Sequence, residues 1–402
     1  MNSLLIALRN IARNRTHVIS AVLIIAVGLA ALLLGSGFML STYDSLQEIA
    51  MRQEGHVIVV DGQSPLRFSG SHQQLTLEGW QTIREQLWDN PKVVRSLPRA
   101  YFEGLISHGP HSAAFFGTGV DPQVEFKVHG PFLRTAGVLD PWLSKEARPD
   151  VVVGTRLAQT LVAAPGDLLT IHVLTPSGEA SDITVQLAGL YHTAIPEVDD
   201  HTLMVNLSTV QSLFDTDKIS QLAIYLEDPG DALDFKQQLQ QQLPNREIQS
   251  WQQRAELYDK VKAQYDRIFG VMGIIILVVA FLAIANTISL TIYQRRKEVA
   301  TLSALGTPSW RICLNFVIEA GLIGILATAL GMALAYATTH TINLAQLMMP
   351  APPGRTEGYP IYVYTSWPHY VTTSAILIIV VVTASLAATY KAIKKEIINS
   401  LA

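Results

Sequence analysis

Ile268-Phe-Gly-Val-Met-Gly-Ile-Ile-Ile-Leu-Val-Val-Ala-Phe-Leu-Ala-Ile-Ala-Asn-Thr-Ile-Ser-Leu-Thr-Ile-Tyr-Gln294 contains no Asp, Glu, Lys or Arg. About 20 apolar residues suffice to cross a bilayer as a helix, so this stretch reads as a membrane span. Three other runs, 16–43, 320–354 and 358–390, are equally free of charge. Together they explain why only 15% of the 402 residues are charged, against about 25% in an ordinary soluble chain. With 49% hydrophobic residues and a mean hydropathy of +0.27, the composition excludes disorder, collagen and a disulfide-stapled mini-protein. Spans are expected at 18–40, 268–292, 314–338 and 370–390. The first is too long for a cleavable signal peptide and has no small-x-small site before a polar start. It reads as a signal anchor.

Charge sets the expected orientation. Arg9, Arg13 and Arg15 precede the first span, Arg295, Arg296, Lys297 and Arg311 lie between the second and third, and Lys391, Lys394 and Lys395 follow the fourth. Only Glu298 and Glu396 oppose these ten basic residues, so the positive-inside rule puts that side in the cytoplasm. Residues 44–267 carry 18 basic and 29 acidic residues and are expected outside. The expected order is a cytoplasmic amphipathic helix (1–17), the first span, an extracytoplasmic head with stalk helices (41–267) and the second span. A cytoplasmic loop (293–313), the third span, an outer loop (339–369), the fourth span and a cytoplasmic tail (391–402) follow. A net charge of −11 on the outer segment argues against nucleic acid. The lone Cys313 leaves the head no intramolecular disulfide.

Strands are expected at 56–60, 150–154, 182–191, 203–205 and 222–226, and helices at 75–87, from Thr155, at 209–213 and at 231–243. This alternation suggests α+β or split βαβ subdomains. Before the second span, Trp251, Ala255, Tyr258, Val261, Tyr265 and Ile268 step by three and four between polar residues. That narrow seam predicts an amphipathic stalk helix running unbroken into the membrane, or else a helix packed on its own domain. Tyr43, Leu46 and Ala50 suggest a matching continuation of the first span. The Tyr- and Pro-rich loop 340–369 suits either an interfacial aromatic belt or a cap over the second pair of helices.

No G-x-x-x-x-G-K-[ST], G-x-S-x-G or H-E-x-x-H motif occurs, so an ATPase or hydrolase site in this chain has no support. His108 and His111 flank a Gly-Pro turn without an acidic partner. His192, Glu197, Asp199, Asp200 and His201 form a denser acid–histidine stretch, read as a solvated loop in preference to a divalent-cation site. No metal or cofactor is expected. Glu319 stands about two turns inside the third span, where a carboxylate must face protein or water. A proton relay there competes with a simple hydrogen bond to a neighbouring helix or to the cytoplasmic loop, and the second is preferred. Ala320, Gly324 and Thr328, and Ala327, Gly331 and Ala335, place small residues every four positions. Such a stripe packs closely on another helix, in this chain or a second subunit.

The stretch from Asn286 to Gly306 resembles the signature of the FtsX/MacB-type ABC permeases, an Asn ending the second span and an Arg-x-x-Glu-Ile-Gly-x-Leu-x-Ala-Leu-Gly helix. Arg295, Glu298, Leu302, Ala304, Leu305 and Gly306 match in register, while Val299 and Ala300 replace Ile-Gly. Phe316, Glu319 and Ala320 resemble the family's entry into the third span, and Gly154, Leu157, Ala158, Leu161, Gly166 and Asp167 resemble a segment of its head. Gln249-Ser-Trp251 is similar to the lipoprotein-releasing (Lol-type) branch. The tail lacks the family's Asp-Pro.

The resemblance implies a non-catalytic permease subunit in a bacterial inner membrane, paired with a second permease copy or paralogue. ATP and Mg would be bound by a separate ABC ATPase dimer. Arg295, Arg296, Lys297, Glu298, Val299, Leu302, Ala304, Leu305 and Gly306 would form the coupling helix, its apolar face of Val299, Leu302 and Leu305 docking into a groove. Gly306 would cap it, and Pro308 would prevent its continuation. Trp251, Tyr258, Val261 and Tyr265 would line the stalk seam. The implied work is mechanotransmission, driving extraction of a lipoprotein or lipid, or efflux of a periplasmic substrate, with or without a periplasmic adaptor. The alternative is an FtsX-like signalling permease that activates a cell-wall hydrolase and transports nothing. A head of this size is more typical of the transport branch.

Overall fold

The computed structural model describes residues 15–61, 75–129, 134–137, 149–175, 177–305, 307–351 and 356–401. The chain divides into two compact units. Ser45–Asp259 with Pro350–Tyr359 form the head, and Met1–Asp44, Lys260–Met349 and Pro360–Ala402 form the membrane unit. Most of the expected N-terminal helix 1–17, and Gly306, lie outside the described residues.

Helix α1 (Arg15–Glu54) begins the description and ends at Gly55, whose φ of +97° suits the left-handed turn that closes helices. The head follows with β1 (Val57–Val60), α2 (Trp80–Trp88), β2 (Val93–His108), β3 (His111–Val120), α3 (Pro122–His129) and β4 (Arg134–Gly137). Next come β5 (Asp150–Gly154), α4 (Thr155–Leu161), β6 (Leu168–Leu174), β7 (Ala180–His192), α5 (Pro196–His201), β8 (Thr202–Asn206) and α6 (Leu207–Leu213). Strand β9 (Gln221–Leu226), α7 (Ala232–Gln242), β10 (Glu247–Ser250) and the one-turn α8 (Trp251–Arg254) complete it.

The strands form one sheet in the order β10-β1-β9-β2-β3-β8-β5-β7-β4, with β6 pairing β2 and β7. Strand β2 serves two halves of it. Residues up to Arg99 pair with β9, and those from Ala100 onward pair with β3. Each half has its own core. Val57, Leu77, Trp80, Leu222, Ile224, Phe235, Ile248 and Trp251 fill one, and Phe102, Phe115, Val151, Leu157, Ile171, Leu203 and Val210 belong to the other. At about 1.5–3 kcal/mol per large apolar side chain buried, these clusters replace the missing disulfide.

Three expectations need correction. The helix expected over 75–87 starts only at Trp80, because the Leu77 backbone exchanges hydrogen bonds with Ile219. The helix expected to run unbroken from Trp251 stops at Ala255. There Ser250 and Gln253 form a capping box and Trp251 is drawn into the head core. The stretch 197–201, read as a solvated loop, lies in helix α5, and Asp199 in it is 0% exposed.

Buried polar groups secure the end of α1 within the head. Arg99 pairs with Glu125 at 2.8 Å, donates to the Gln53 carbonyl and reaches the Tyr225 hydroxyl at 2.9 Å. Tyr225 donates in turn to the Arg52 carbonyl at 2.6 Å. Burial alone would weaken Arg99 as a base, but the facing Glu125 carboxylate more than reverses this and holds it charged. A cation here also complements the negative end of the helix dipole.

His56 is tuned the other way. Burial lowers its pKa first, the nearby Arg52 lowers it further, and Asp228 partly opposes both. Its Nδ1 accepts from Leu226 N–H at 2.9 Å, so the folded head favours the neutral ring. Unfolded chain takes up this proton near pH 6.5. The contribution of His56 is therefore complete above that pH and is lost as the pH falls through the lower folded value. Thermal unfolding of the full chain between pH 7.5 and 5 should show this acid loss. His56→Asn, whose Oδ1 can accept the same N–H, should flatten it, and an unchanged slope would exclude His56 as its source.

The membrane unit contains most of α1 and of α9 (Glu256–Gln294), then α10 (Arg296–Ala304), α11 (Ser309–Ala345) and α12 (Trp367–Leu401). Among the described residues, four helices are long and apolar enough to span a membrane, at Val18–Glu54, Tyr258–Gln294, Trp310–Ala345 and Trp367–Lys391. Their shared core follows helical spacing. It takes Ile25, Leu29 and Leu33 from α1, and Ile284, Ile288 and Ile292 from α9. Phe316, Ala320, Ile323 and Ala327 come from α11, and Leu377, Val381 and Ala384 from α12. The small-residue stripe packs inside this chain, with Gly331 against Leu29 and Gly324 against Val381. Of the aromatics near the fourth span, Tyr370 is buried, while Trp367 stays exposed and stacks on Tyr336 at 6.1 Å.

Candidate functional site

Arg295 occupies the joint between α9 and α10. Its N–H still donates to the Thr291 and Ile292 carbonyls, each at 3.1 Å, and its carbonyl accepts from Val299 N–H at 3.0 Å. The backbone therefore passes from one helix to the next without losing its hydrogen bonds. The side chain turns towards α11. Nε donates to Glu298 Oε2 at 2.9 Å, Nη1 lies 3.4 Å from Glu319 Oε2, and the guanidinium sits 5.7 Å from the Phe316 ring centre.

Glu319 is 3% exposed and lies ten residues into α11, about 15 Å along its axis at 1.5 Å per residue. A carboxylate so buried requires a charged or strongly donating partner, and Arg295 supplies it. One guanidinium thus ties three helices together, through its own backbone in the α9–α10 joint, through Glu298 on α10 and through Glu319 on α11. Arginine suits this role, because its planar fork presents several N–H donors at once.

Val299 corrects the expected apolar docking face. It is buried in the same cluster as Ile292, Ile312 and Phe316, anchoring α10 to the bundle. The outward surface has a different make-up. Leu305 is 78% exposed, Tyr293 68% and Trp310 62%, and Arg296, Lys297, Glu298, Ala300 and Thr301 are exposed as well. Arg296 lies 5.3 Å from the Tyr293 ring centre, and Arg311 lies 5.3 Å from that of Trp310. Exposed aromatics beside arginines are the composition of a protein-binding surface. Tyr293, Trp310 and Arg311 lay outside the coupling motif, though their aromatic–basic neighbours are visible in the sequence. Leu302 and Ala304 lie in α10.

The seam residues divide between the units. Trp251 is buried in the head core and meets Tyr258 edge-on at 5.5 Å between ring centres. Within the membrane unit, Tyr265 contacts Tyr43 edge-on at 6.3 Å and stacks on Phe269 at 6.0 Å. Tyr43 donates to Asp266 Oδ1 at 2.7 Å. Val261 is half-buried, whereas Ile268 is exposed, so the packed line passes through Phe269 instead.

The head also carries a cleft of about 460 Å³ lined by Thr155, Ala158, Gln159, Val162, Ala163 and Leu190, among others. Among the described residues, no group of three or more His, Cys, Asp or Glu is arranged to hold a metal ion.

Residues 19–242 match the MacB-like periplasmic core domain, and residues 270–397 match the FtsX-like permease C-terminal domain. The chain belongs to the FtsX/MacB family of ABC transporter permeases. It is 24% identical over 321 residues to the lipoprotein-releasing system transmembrane protein LolC of Xylella fastidiosa, covering 78% of this chain and 74% of that one. It is 32% identical over 87 residues to the cell division protein FtsX of Bacillus subtilis, covering 19% and 29% respectively. Among solved structures it is similar to the periplasmic region of MacB from Actinobacillus actinomycetemcomitans. That similarity has a TM-score of 0.36 and 14% identity, and covers 54% of this chain and 95% of that one.

This permease is a multi-pass inner-membrane protein with an α+β periplasmic core domain inserted after its first span. Its family consists of membrane subunits that generally lack catalysis, and membership implies a partner ATPase.

Proposed function

We propose that this permease converts ATP-driven closure of a separate ABC ATPase dimer into movement of its periplasmic head. The termini and the 295–311 loop would face the cytoplasm, consistent with their basic residues. ATP and Mg would bind only to the partner. A second permease copy or a paralogue would complete the membrane part.

The tie made by Arg295 carries this reading. A partner pressing on Leu305, Trp310 and Tyr293 would meet a short helix already joined to two spans by Glu298, Glu319 and the buried Val299. Its displacement would therefore move α9 and α11 and would not be absorbed locally. The favoured task is extraction of a lipoprotein or lipid, or efflux of a periplasmic substrate, in keeping with the coverage shared with LolC. The second reading, an FtsX-like signalling permease acting on a cell-wall hydrolase, draws on the shorter match to FtsX.

Mild solubilisation from native membranes, affinity purification and mass spectrometry of the bound material would test both. A P-loop ATPase retained with lipoproteins or lipids is the expected result. An ATPase retained with a peptidoglycan hydrolase and no cargo would favour signalling. A preparation without any ATPase would remove the coupling role of 295–311.

A further inference from the structure

The loop joining the third and fourth spans contributes residues to both units, since Pro350–Tyr359 belong to the head and the residues from Pro360 belong to the membrane unit. On the head, Thr356 N–H donates to the Ala194 carbonyl at 2.9 Å. Ala194 has a φ of +62°, a left-handed conformation that a non-glycine residue keeps only when its surroundings impose it. They do so here. Thr193 donates from both its N–H and its hydroxyl to Asp199 Oδ1, each at 2.8 Å, and Ile195 N–H donates back to Thr193 Oγ1 at 3.3 Å.

The adjacent imidazole faces a carboxylate on each side. His192 Nδ1 lies 2.6 Å from the buried Asp199 Oδ2 and 3.3 Å from Thr155 Oγ1. His192 Nε2 lies 3.7 Å from Glu357 Oε1. The neighbouring Arg156 is engaged by Asp200 at 2.7 Å. Asp199 thus fixes the ring from within the head, and the ring presents its other nitrogen to the loop.

Farther along, the same loop is held in the membrane unit. Ile361 N–H donates to the Leu347 carbonyl at 2.8 Å. The Asn343 side-chain amide takes both backbone groups of Val363 at 2.9 Å. Tyr364 N–H donates to the Gly37 carbonyl at 3.2 Å, and any Cβ at Gly37 would strike the Tyr364 carbonyl oxygen.

We propose that this loop is a strap, clipped to the head by Thr356 on Ala194 and Glu357 on His192, that limits the travel of the head. Pro360 already belongs to a short strand paired with Met348–Met349. Only 358–359 therefore separate the clip from the first hold on the membrane unit, and the two points can part by no more than about 11 Å of extended chain. Travel beyond that length requires the clip to open. The limit acts whatever drives the head and whatever it carries.

Hydrogen exchange on the full chain in nanodiscs tests the clip. The Thr356 amide should be protected in the wild type, and Glu357→Ala should speed its exchange about tenfold or more while β9 is unchanged. Glu357 is on the strap, so its loss spares the head core. Electron–electron distance measurements test the strap, using spin labels at exposed Leu233 and Leu344 in a Cys313→Ser background. Glu357→Ala and Thr356→Pro, which removes the N–H donor, should each broaden the distance distribution. Protection that is absent in the wild type, or untouched by Glu357→Ala, would overturn the clip. Lost protection with an unchanged distribution would overturn the limit on travel.

Discussion

Replacing Arg99 with methionine is expected to destabilise the head by about 3–5 kcal/mol, the usual cost of breaking a buried ion pair from one side. Glu125 would remain 5% exposed with its nearest cation gone, and the Gln53 carbonyl and Tyr225 hydroxyl would each lose a donor. Glu125→Gln should cost less, because a neutral amide can still accept from the guanidinium. The combined Arg99→Met and Glu125→Leu variant should recover part of the loss, since removing both charges also removes their desolvation cost. Recovery should stop short of the wild type by about 1 kcal/mol for each helix-end acceptor still without its donor. Thermal unfolding of the full chain in detergent, followed by tryptophan fluorescence, gives all three values, and Glu125→Leu alone closes the double-mutant cycle. A single Arg99→Met loss below about 1 kcal/mol would place the stability of this joint in the apolar packing instead of the charge pair.

Arg99 also shows where the sequence stopped being readable. A lone arginine after Pro98, between Arg95 and Glu103, breaks the apolar alternation that marks a strand, so β2 and its hairpin partner β3 did not stand out. The structure makes sense of it because the charge is paired across the fold by Glu125, 26 positions away. Asp199 misled in the same direction. A cluster of acids and histidines reads as solvated, and only the fold shows Thr193 and His192 closing around it. By contrast, the four spans and the passage from β5 into α4 at Thr155 were legible, because uninterrupted apolar runs are local signals.

The candidate site was legible in part for the same reason. The motif around Arg295 and Glu298 is contiguous in sequence and marked the loop. The tie itself was not visible, because Glu319 approaches Arg295 from 24 positions away on another helix. Val299 shows the limit of periodicity. An apolar residue on a short amphipathic helix can face its own bundle or a partner, and spacing does not distinguish the two. Here burial assigns Val299 to the bundle and leaves Leu305, Tyr293 and Trp310 exposed.

Arg295 and Glu319 should separate stability from transmission. Arg295→Ala leaves the Glu319 carboxylate buried without its facing cation, and a loss of about 3–5 kcal/mol in the bundle is expected. Glu319→Ala should cost less, because Arg295 retains Glu298 and part of its surface reaches solvent. Arg295→Met with Glu319→Met replaces the pair by packed apolar side chains, and thermal stability should return close to that of the wild type. The link between α10 and α11 should not return, because methionines slide where a forked ion pair holds. In the complex with its ATPase, the double variant should therefore hydrolyse ATP while the head no longer responds. That response can be read as the nucleotide-dependent change in distance between spin labels on the head and on the membrane unit. A double variant that is both stable and fully responsive would show that Val299 and the surrounding apolar packing transmit the motion, and that the ion pair serves stability alone.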